Sequence, residues 1–447
     1  MRKFTITALL FTFIFIYSCR KNTLSSIDGE LYDQIVFASN GKGVDYFILP
    51  ESIAYSSIPQ DPKNPLNPAK VELGKSLFHE VQLGGEPKLS EGIYTYSCAS
   101  CHNAKAGFQA CVAQGIGEGG SGFGMSGEGR TLSSSYNRDL IDVQPIRSPS
   151  AMNGAYQEVM LWNGQLGAKG VNANTQASWT AGTPKELNFL GYEGLETQAM
   201  AGQGNHRLKV DAAWLTSVPA YKELFDKAFP NVPASERISK LTVALAIAAY
   251  ERTLLSNAAP FQKWLKGDYN AMTQDQKMGA KLFFGKAQCY TCHSGPALNS
   301  MEFYALGMSD LQNGVHNAVN IKPDAVENKG RGGFTGKGSD MYKFKVPQLY
   351  NLADSRFYGH GASFTSIYDV VEYKNNAASQ NPNVPVSQLA PQFKPLNLSE
   401  GEIGKIVTFV EYGLRDPQLS RYVPARLPSG KCFPNADAKS RADMGCN

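Results

Sequence analysis

Hydrophobic and polar positions divide the 447-residue chain into a few periodic stretches, separated by long ones rich in Gly, Pro and polar residues. A predominantly apolar run from Phe4 to Tyr17 follows Arg2 and Lys3. It is too short to span a bilayer and has the make-up of a secretory signal. Residues 20–66 show no clean period and read as a tether with an irregular N-terminal arm. Asn67-Pro68 then supplies an N-cap and a first-turn proline, with Leu73, Leu77 and Phe78 as the apolar stripe of the helix behind it. Glu236 to Leu255 has the helical period, apolar at Ile238, Leu241, Leu245 and Ala248. Thr273-x-x-Gln276 is a capping box opening a helix through Gly279-Ala-Lys-Leu-Phe283. Ser399-x-x-Glu402 opens another, with Ile403, Ile406, Val407, Val410 and Leu414 on its apolar face. Residues 115–150, 163–190 and 310–340 carry little period and are expected as long loops. Strand signals are few, so the expected fold is mainly α.

Two of the non-periodic stretches hold the chemistry. Tyr96-Ser-Cys-Ala-Ser-Cys-His102 and Gln288-Cys-Tyr-Thr-Cys-His293 each contain Cys-x-x-Cys-His, the signature of covalent haem attachment. Two thiols at that spacing reach the two vinyl groups of one porphyrin, and the adjacent imidazole lies under the iron. With 8 Cys and 6 His in the chain, chance supplies roughly 0.002 copies. A zinc ribbon or a redox dithiol leaves the following histidine unexplained both times. Gly74-Lys-Ser-Leu-Phe78 before the first motif matches Gly279-Ala-Lys-Leu-Phe283 before the second. The fold expected is therefore two cytochrome c-like haem domains packed face to face with long loops, at 67–256 and 257–415, followed by a tail at 416–447.

Charge and the remaining cysteines add the setting. The formal charge is +4, and removal of residues 1–18 takes away Arg2 and Lys3, which gives no reason to expect a nucleic-acid partner. The apolar run ends Ile16-Tyr-Ser-Cys19, which resembles the lipobox of bacterial lipoproteins. That resemblance implies a diacylated Cys19 as mature N-terminus, and so a membrane-anchored body in the periplasm. Cys432 and Cys446 are expected to pair in an exported protein, and Cys111 to be a small buried apolar residue.

With both haem motifs placed, the chain resembles the bacterial di-haem cytochrome c peroxidase family, which includes the MauG-like enzymes. The resemblance rests on Leu73–Phe78, Arg147-Ser-Pro-Ser150 with Asn153, Leu161-Trp-Asn-Gly-Gln165, Leu195-Glu-Thr-Gln-Ala199, Phe344-Lys-Val-Pro347 and Tyr358-Gly-His360. It implies a C-terminal haem that takes electrons from a small cytochrome or cupredoxin and an N-terminal haem that meets hydrogen peroxide. Trp162 stands where the family has a Trp between the haems, and Gln198 where it has a distal Gln. The family's distal Glu falls on Leu208, which leaves His206 as the nearest group able to move a proton. Glu118 stands where many members have a displaceable His ligand. For the sixth ligand of the C-terminal haem the family's spacing lands on Lys374, with Tyr373 and Met308 as alternatives. Arg147 takes the place of the Asn that binds calcium between the domains, so calcium is not expected. His79 and His316 have no motif around them. The leading expectation is a peroxidase; a MauG-like oxidase of a partner protein and a pure electron-transfer cytochrome remain open, as does a homodimer.

Overall fold

The computed structural model describes residues 25–313, 318–322 and 324–446. The signal segment, Cys19 and His316 lie outside them. Twelve helices among the described residues follow one another in chain order. These are α1 (Ser26–Ala38), α2 (Pro68–His79), α3 (Gly194–Asn205), α4 (Ala212–Ser217), α5 (Pro219–Ala228) and α6 (Lys240–Arg252) in the first part. Then come α7 (Pro260–Leu265), α8 (Gln274–Phe284), α9 (Arg331–Thr335), α10 (Ile367–Asn376), α11 (Glu400–Thr408) and α12 (Ala438–Met444). Among the described residues, paired strands are limited to two short antiparallel pairs, β1 (Gly120–Ser121) with β2 (Thr131–Leu132) and β3 (Phe303–Tyr304) with β4 (Phe344–Lys345). The fold is mainly α, as expected.

The helices begin where local chemistry dictates. The Asn67 side chain accepts from the Lys70 amide with Pro68 in the first turn of α2, and Thr273 with Gln276 and Ser399 with Glu402 close reciprocal boxes on α8 and α11. α6 departs from the single-stripe expectation. It starts at a Ser239–Thr242 box, later than expected, and Val243 to Tyr250 are buried without interruption while Leu241 is exposed. The reason is its position. α2 packs on one side of it and α3 on another, so it has no solvent face over that span.

Two large apolar cores, with smaller clusters beside them, account for most of the buried apolar side chains among the described residues, and the chain ends cross between the two. One is built from α7, α8 and α11 together with Leu31, Ile35, Phe47, Leu49 and Ile58. The other comprises α2, α5 and α6 together with Leu419 and Tyr422. The N-terminal arm is thus helical over Ser26–Ala38 rather than tether, and from 39 to 66 it is irregular apart from two short 3₁₀ turns, yet packed into the first of these cores. Ser25 caps α1, whose buried Asp28 accepts from Trp264 Nε1 at 2.7 Å and pairs with Lys277 Nζ at 2.8 Å. The tail is likewise more than loop. Cys432 and Cys446 are joined, and α12 lies inside the bracket they close. Its residues reach the first haem motif: Ser97 Oγ donates to the Pro434 carbonyl at 2.9 Å, Ser100 Oγ bonds Asn435 Oδ1, and the Ala436 amide donates to the Thr95 carbonyl at 3.1 Å. No helix among the described residues is long and apolar enough to cross a membrane.

Candidate haem and redox site

Both Cys-x-x-Cys-His motifs form a single 3₁₀ turn, Cys98–Ser100 and Cys289–Thr291, directly followed by the second Cys and the His. In each, the His Nδ1 faces a backbone carbonyl: Phe108 at 3.1 Å for His102, and Leu298 and Pro347, both at 3.1 Å, for His293. A carbonyl only accepts, so Nδ1 carries the hydrogen and Nε2 keeps the lone pair for a metal. Burial holds both imidazoles neutral, their pKa values pushed down to about 4.

At the second motif the residues enclose a largely apolar cavity of about 640 Å³, in the range of cofactor pockets. Cys289, Cys292 and His293 line it, and so do Lys374, Met308 and Trp162. Lys374 is close enough for its charge to be felt at Cys289 and His293, and burial depresses its own pKa. Tyr373, the neighbouring candidate, is not part of this lining. Its hydroxyl bonds the Leu306 carbonyl and its ring packs with Phe364 and Phe393. One residue along a helix turns a side chain by about 100°, enough to send Tyr373 into the core while Lys374 faces the cavity.

Residues 147–150 form a wall between the two motifs. Arg147 to Ser150 line the second cavity, while the Pro149 carbonyl acts on His102. Arg147 is buried; its guanidinium donates to the carbonyls of Val112 at 2.9 Å and Ala110 at 3.0 Å, to Gln109 Oε1 at 3.1 Å and to Ser355 Oγ at 2.9 Å. Its backbone amide donates to the His360 carbonyl at 2.9 Å and its carbonyl accepts from Trp162 Nε1 at 2.8 Å. Arg147 therefore ties the loop after the first motif to both Trp162 and the Tyr-Gly-His turn. His360 is stacked on Phe344 with centroids 3.7 Å apart, meets Trp162 edge-on at 6.3 Å, and faces Asp310 Oδ1 at 3.1 Å.

α3 brings its C-cap, His206, within electrostatic reach of His102, near enough for its charge to disfavour one there. Gln198 of the same helix has a buried Oε1 with no hydrogen-bond partner among the described residues. Leu208, at the family's Glu position, belongs to the apolar core. Glu118 is neither a solvated loop acid nor a free catalytic carboxylate. It is fully buried, pairs with Arg207, and accepts from the Tyr136 hydroxyl and the amides of Lys88 and Leu89. With its lone pairs committed it is a strut that fixes the turn beside His206. Asp142, which no motif singled out, places Oδ2 2.9 Å from His206 Nδ1. The two residues are separated by 64 positions, so no local pattern could have paired them.

These residues fit two c-type haems: paired thiols, an imidazole with Nε2 free, a pocket of cofactor size on one side and an unpaired buried amide oxygen on the other. A mainly α protein with two such motifs is a di-haem c-type cytochrome. The sequence profile of the di-haem cytochrome c peroxidases matches residues 68–270. The methylamine utilization protein MauG of Methylorubrum extorquens is 29% identical over 357 residues, 79% of this chain and 81% of that protein. The cytochrome c551 peroxidase of Nitrosomonas europaea is 28% identical over 374 residues, covering 83% and 87%. Among solved structures, a MauG-like protein associated with microbial copper homeostasis aligns with a TM-score of 0.54 at 21% identity, over 83% of this chain and 95% of that one. The chain belongs to the bacterial di-haem cytochrome c peroxidase and MauG-like family, and is an oxidoreductase of that class.

Proposed function

We propose that this protein is an exported peroxidase that reduces hydrogen peroxide to water with electrons from a small cytochrome or cupredoxin, anchored through an acylated Cys19. Cys98, Cys101 and His102 would hold one haem covalently, and Cys289, Cys292 and His293 the other. When bound, the haems supply electrons and the Lewis-acidic centre at which an O–O bond is polarised. The observation that carries this reading is the asymmetry near the two proximal histidines. His206 acts on the first, and Gln198, eight residues before it in the chain, has an unpaired buried Oε1; an amide to orient peroxide and an imidazole to move its proton are what peroxide cleavage needs. Lys374 faces the second, and in this reading it occupies the sixth position and keeps that haem for electron transfer. Trp162 and the Arg147 wall lie between the halves, as a relay requires. Glu118 is locked to Arg207, so it leaves the N-terminal side open in the resting state.

The test is the resting diferric protein in a stopped-flow spectrometer. Peroxide should react with the N-terminal haem without prior reduction of the other, and intact mass should show two haem additions. A protein that leaves peroxide untouched in every oxidation state is an electron-transfer cytochrome instead. Separately, Cys19→Ala should release the protein from membranes.

A further inference from the structure

We propose that Asp142 is a positioning residue that turns His206 into the proton acceptor at the N-terminal haem; the inference rests on the peroxidase reading above. The contact itself is directional. A carboxylate only accepts, so the 2.9 Å approach of Asp142 Oδ2 to His206 Nδ1 places the ring hydrogen on Nδ1 and leaves the lone pair on Nε2. Bound peroxide could then give one proton to Nε2. As the O–O bond breaks, Nε2 returns that proton to the leaving oxygen, which departs as water. The two electrons come from the haem pair and, beyond it, from the reduced small redox protein. Two protons from solvent turn the remaining oxygen into the other water, and the imidazole ends as it began.

The surroundings of Asp142 are built to hold this carboxylate. Asp142 is buried, and its amide and carbonyl are paired with the Glu118 carbonyl at 3.0 Å and the Gly117 amide at 2.9 Å. The opposing strand is clamped by buried Arg130, which donates to the carbonyls of Ile116 and Gly117, both at 2.6 Å, and pairs with Asp437 of the tail at 3.4 Å. A Cβ at position 117 would lie 2.3 Å from Asp142 Oδ2, so any residue larger than glycine there must push the carboxylate aside. On the other side Arg207 is pinned by Glu118 and the Leu140 carbonyl, which fixes the turn carrying His206. The charged and titratable groups acting on the pair are thus Arg207 and His102 beside the imidazole, and Arg130, Cys101 and Tyr96 beside the carboxylate. Burial pushes the imidazole's pKa down and Asp142 pushes it up; the net direction is up from the ordinary value. A base must be neutral to accept a proton, so function falls as the pH drops through that raised value.

Asp142→Asn keeps the shape and removes the charge. Two readouts are followed against pH: kcat/KM for peroxide, and binding of hydrogen cyanide to the ferric protein, which needs the same proton acceptor but no turnover. Both acid limbs should move to lower pH, and peroxide turnover at neutral pH should fall by about 10²-fold, the low end for a general acid–base group. The resting haem spectra should stay as they are. Gly117→Ala, which displaces the carboxylate but keeps its charge, should give a milder loss and decides the matter if the Asn variant does not fold. Acid limbs unmoved in the variants, with only a uniform rate loss, would overturn the role of Asp142. If His206→Ala itself leaves cyanide binding and turnover at wild-type levels, the peroxidase reading of His206 is what fails.

Discussion

In the N-terminal half, α2 crosses α6 with Gly74 at the contact, where a Cβ would lie 1.8 Å from the Ala246 carbonyl oxygen. In the C-terminal half, α8 crosses α11 with Gly279 at the contact, where a Cβ would lie 2.0 Å from the Lys405 carbonyl oxygen. Phe78 and Phe283 follow at the same step, and each proximal histidine is held by a carbonyl a few residues downstream. Then the halves diverge. His79 stands where the second half has Phe284, and His206 at the end of α3 acts on one proximal histidine while Lys374 of α10 acts on the other. What is repeated is the apparatus that holds a haem. What differs is the group near each proximal histidine, and in the proposed reading that difference sets each half its task.

The comparison breaks most severely at the open sides. His206→Ala should lower peroxide turnover by about 10²–10⁴-fold while the N-terminal haem stays high-spin. Lys374→Ala should instead convert the C-terminal haem from low- to high-spin and leave peroxide binding in place. Electron paramagnetic resonance of the two variants separates these outcomes. If His206→Ala turns a low-spin haem high-spin and speeds turnover, His206 is an iron ligand; if Lys374→Ala leaves the spectrum alone, Met308 takes that position.

His79 sharpens the comparison through pH. It is buried against Tyr250, Phe78 and Phe433, and burial pushes its pKa down to about 4. Between its unfolded value and that one, the unfolded chain binds a proton that the native state refuses. Stability present above about pH 6.5 is therefore lost as the pH falls towards 4, by roughly 3 kcal/mol in all. His79→Phe, which copies Phe284, should remove that loss. Denaturant midpoints at pH 7 and pH 4.5 measure it, and equal pH dependence in both proteins would refute it.

The shared crossing gives a smaller, symmetric effect. Gly74→Ala and Gly279→Ala should each destabilise by about 1–3 kcal/mol through overpacking, despite alanine's better helix propensity. Tm should fall in both; a rise in either would mean that its helix pair can part freely. Least disruptive is Trp162→Phe, which keeps a ring but loses the bond to the Arg147 carbonyl, worth about 1 kcal/mol. It should slow electron arrival at the N-terminal haem without changing cyanide binding there.

Much of the holding apparatus was legible in the chain because it is local. Asn67-Pro68, Thr273-x-x-Gln276 and Ser399-x-x-Glu402 cap the helices they announce, and each haem motif spans five residues. Arg147, singled out by its place in a motif, proved to be buried among carbonyls. The rest depends on contacts between distant residues. Ser26–Ala38 looked like tether because its apolar side is narrow, and its helix is secured by Trp264 and Lys277 far along the chain. The burial of Glu118 was not legible because its partner Arg207 lies 89 residues away. Tyr373 and Lys374 were indistinguishable until the direction of α10 was known.

The crossing of the chain ends changes how the two halves must live together. The opening arm completes the core of the second half, and the closing tail completes that of the first while bonding the serines that flank its haem cysteines. Neither half is a module that a gene could donate alone. A truncation at the last helix would injure the haem domain farthest from it in sequence, and a cut before residue 60 would loosen the one that begins two hundred residues later. Such long-range closure slows folding, and it ties the stability of each half to a segment from the other end of the chain, which suits a pair of centres whose separation must not drift.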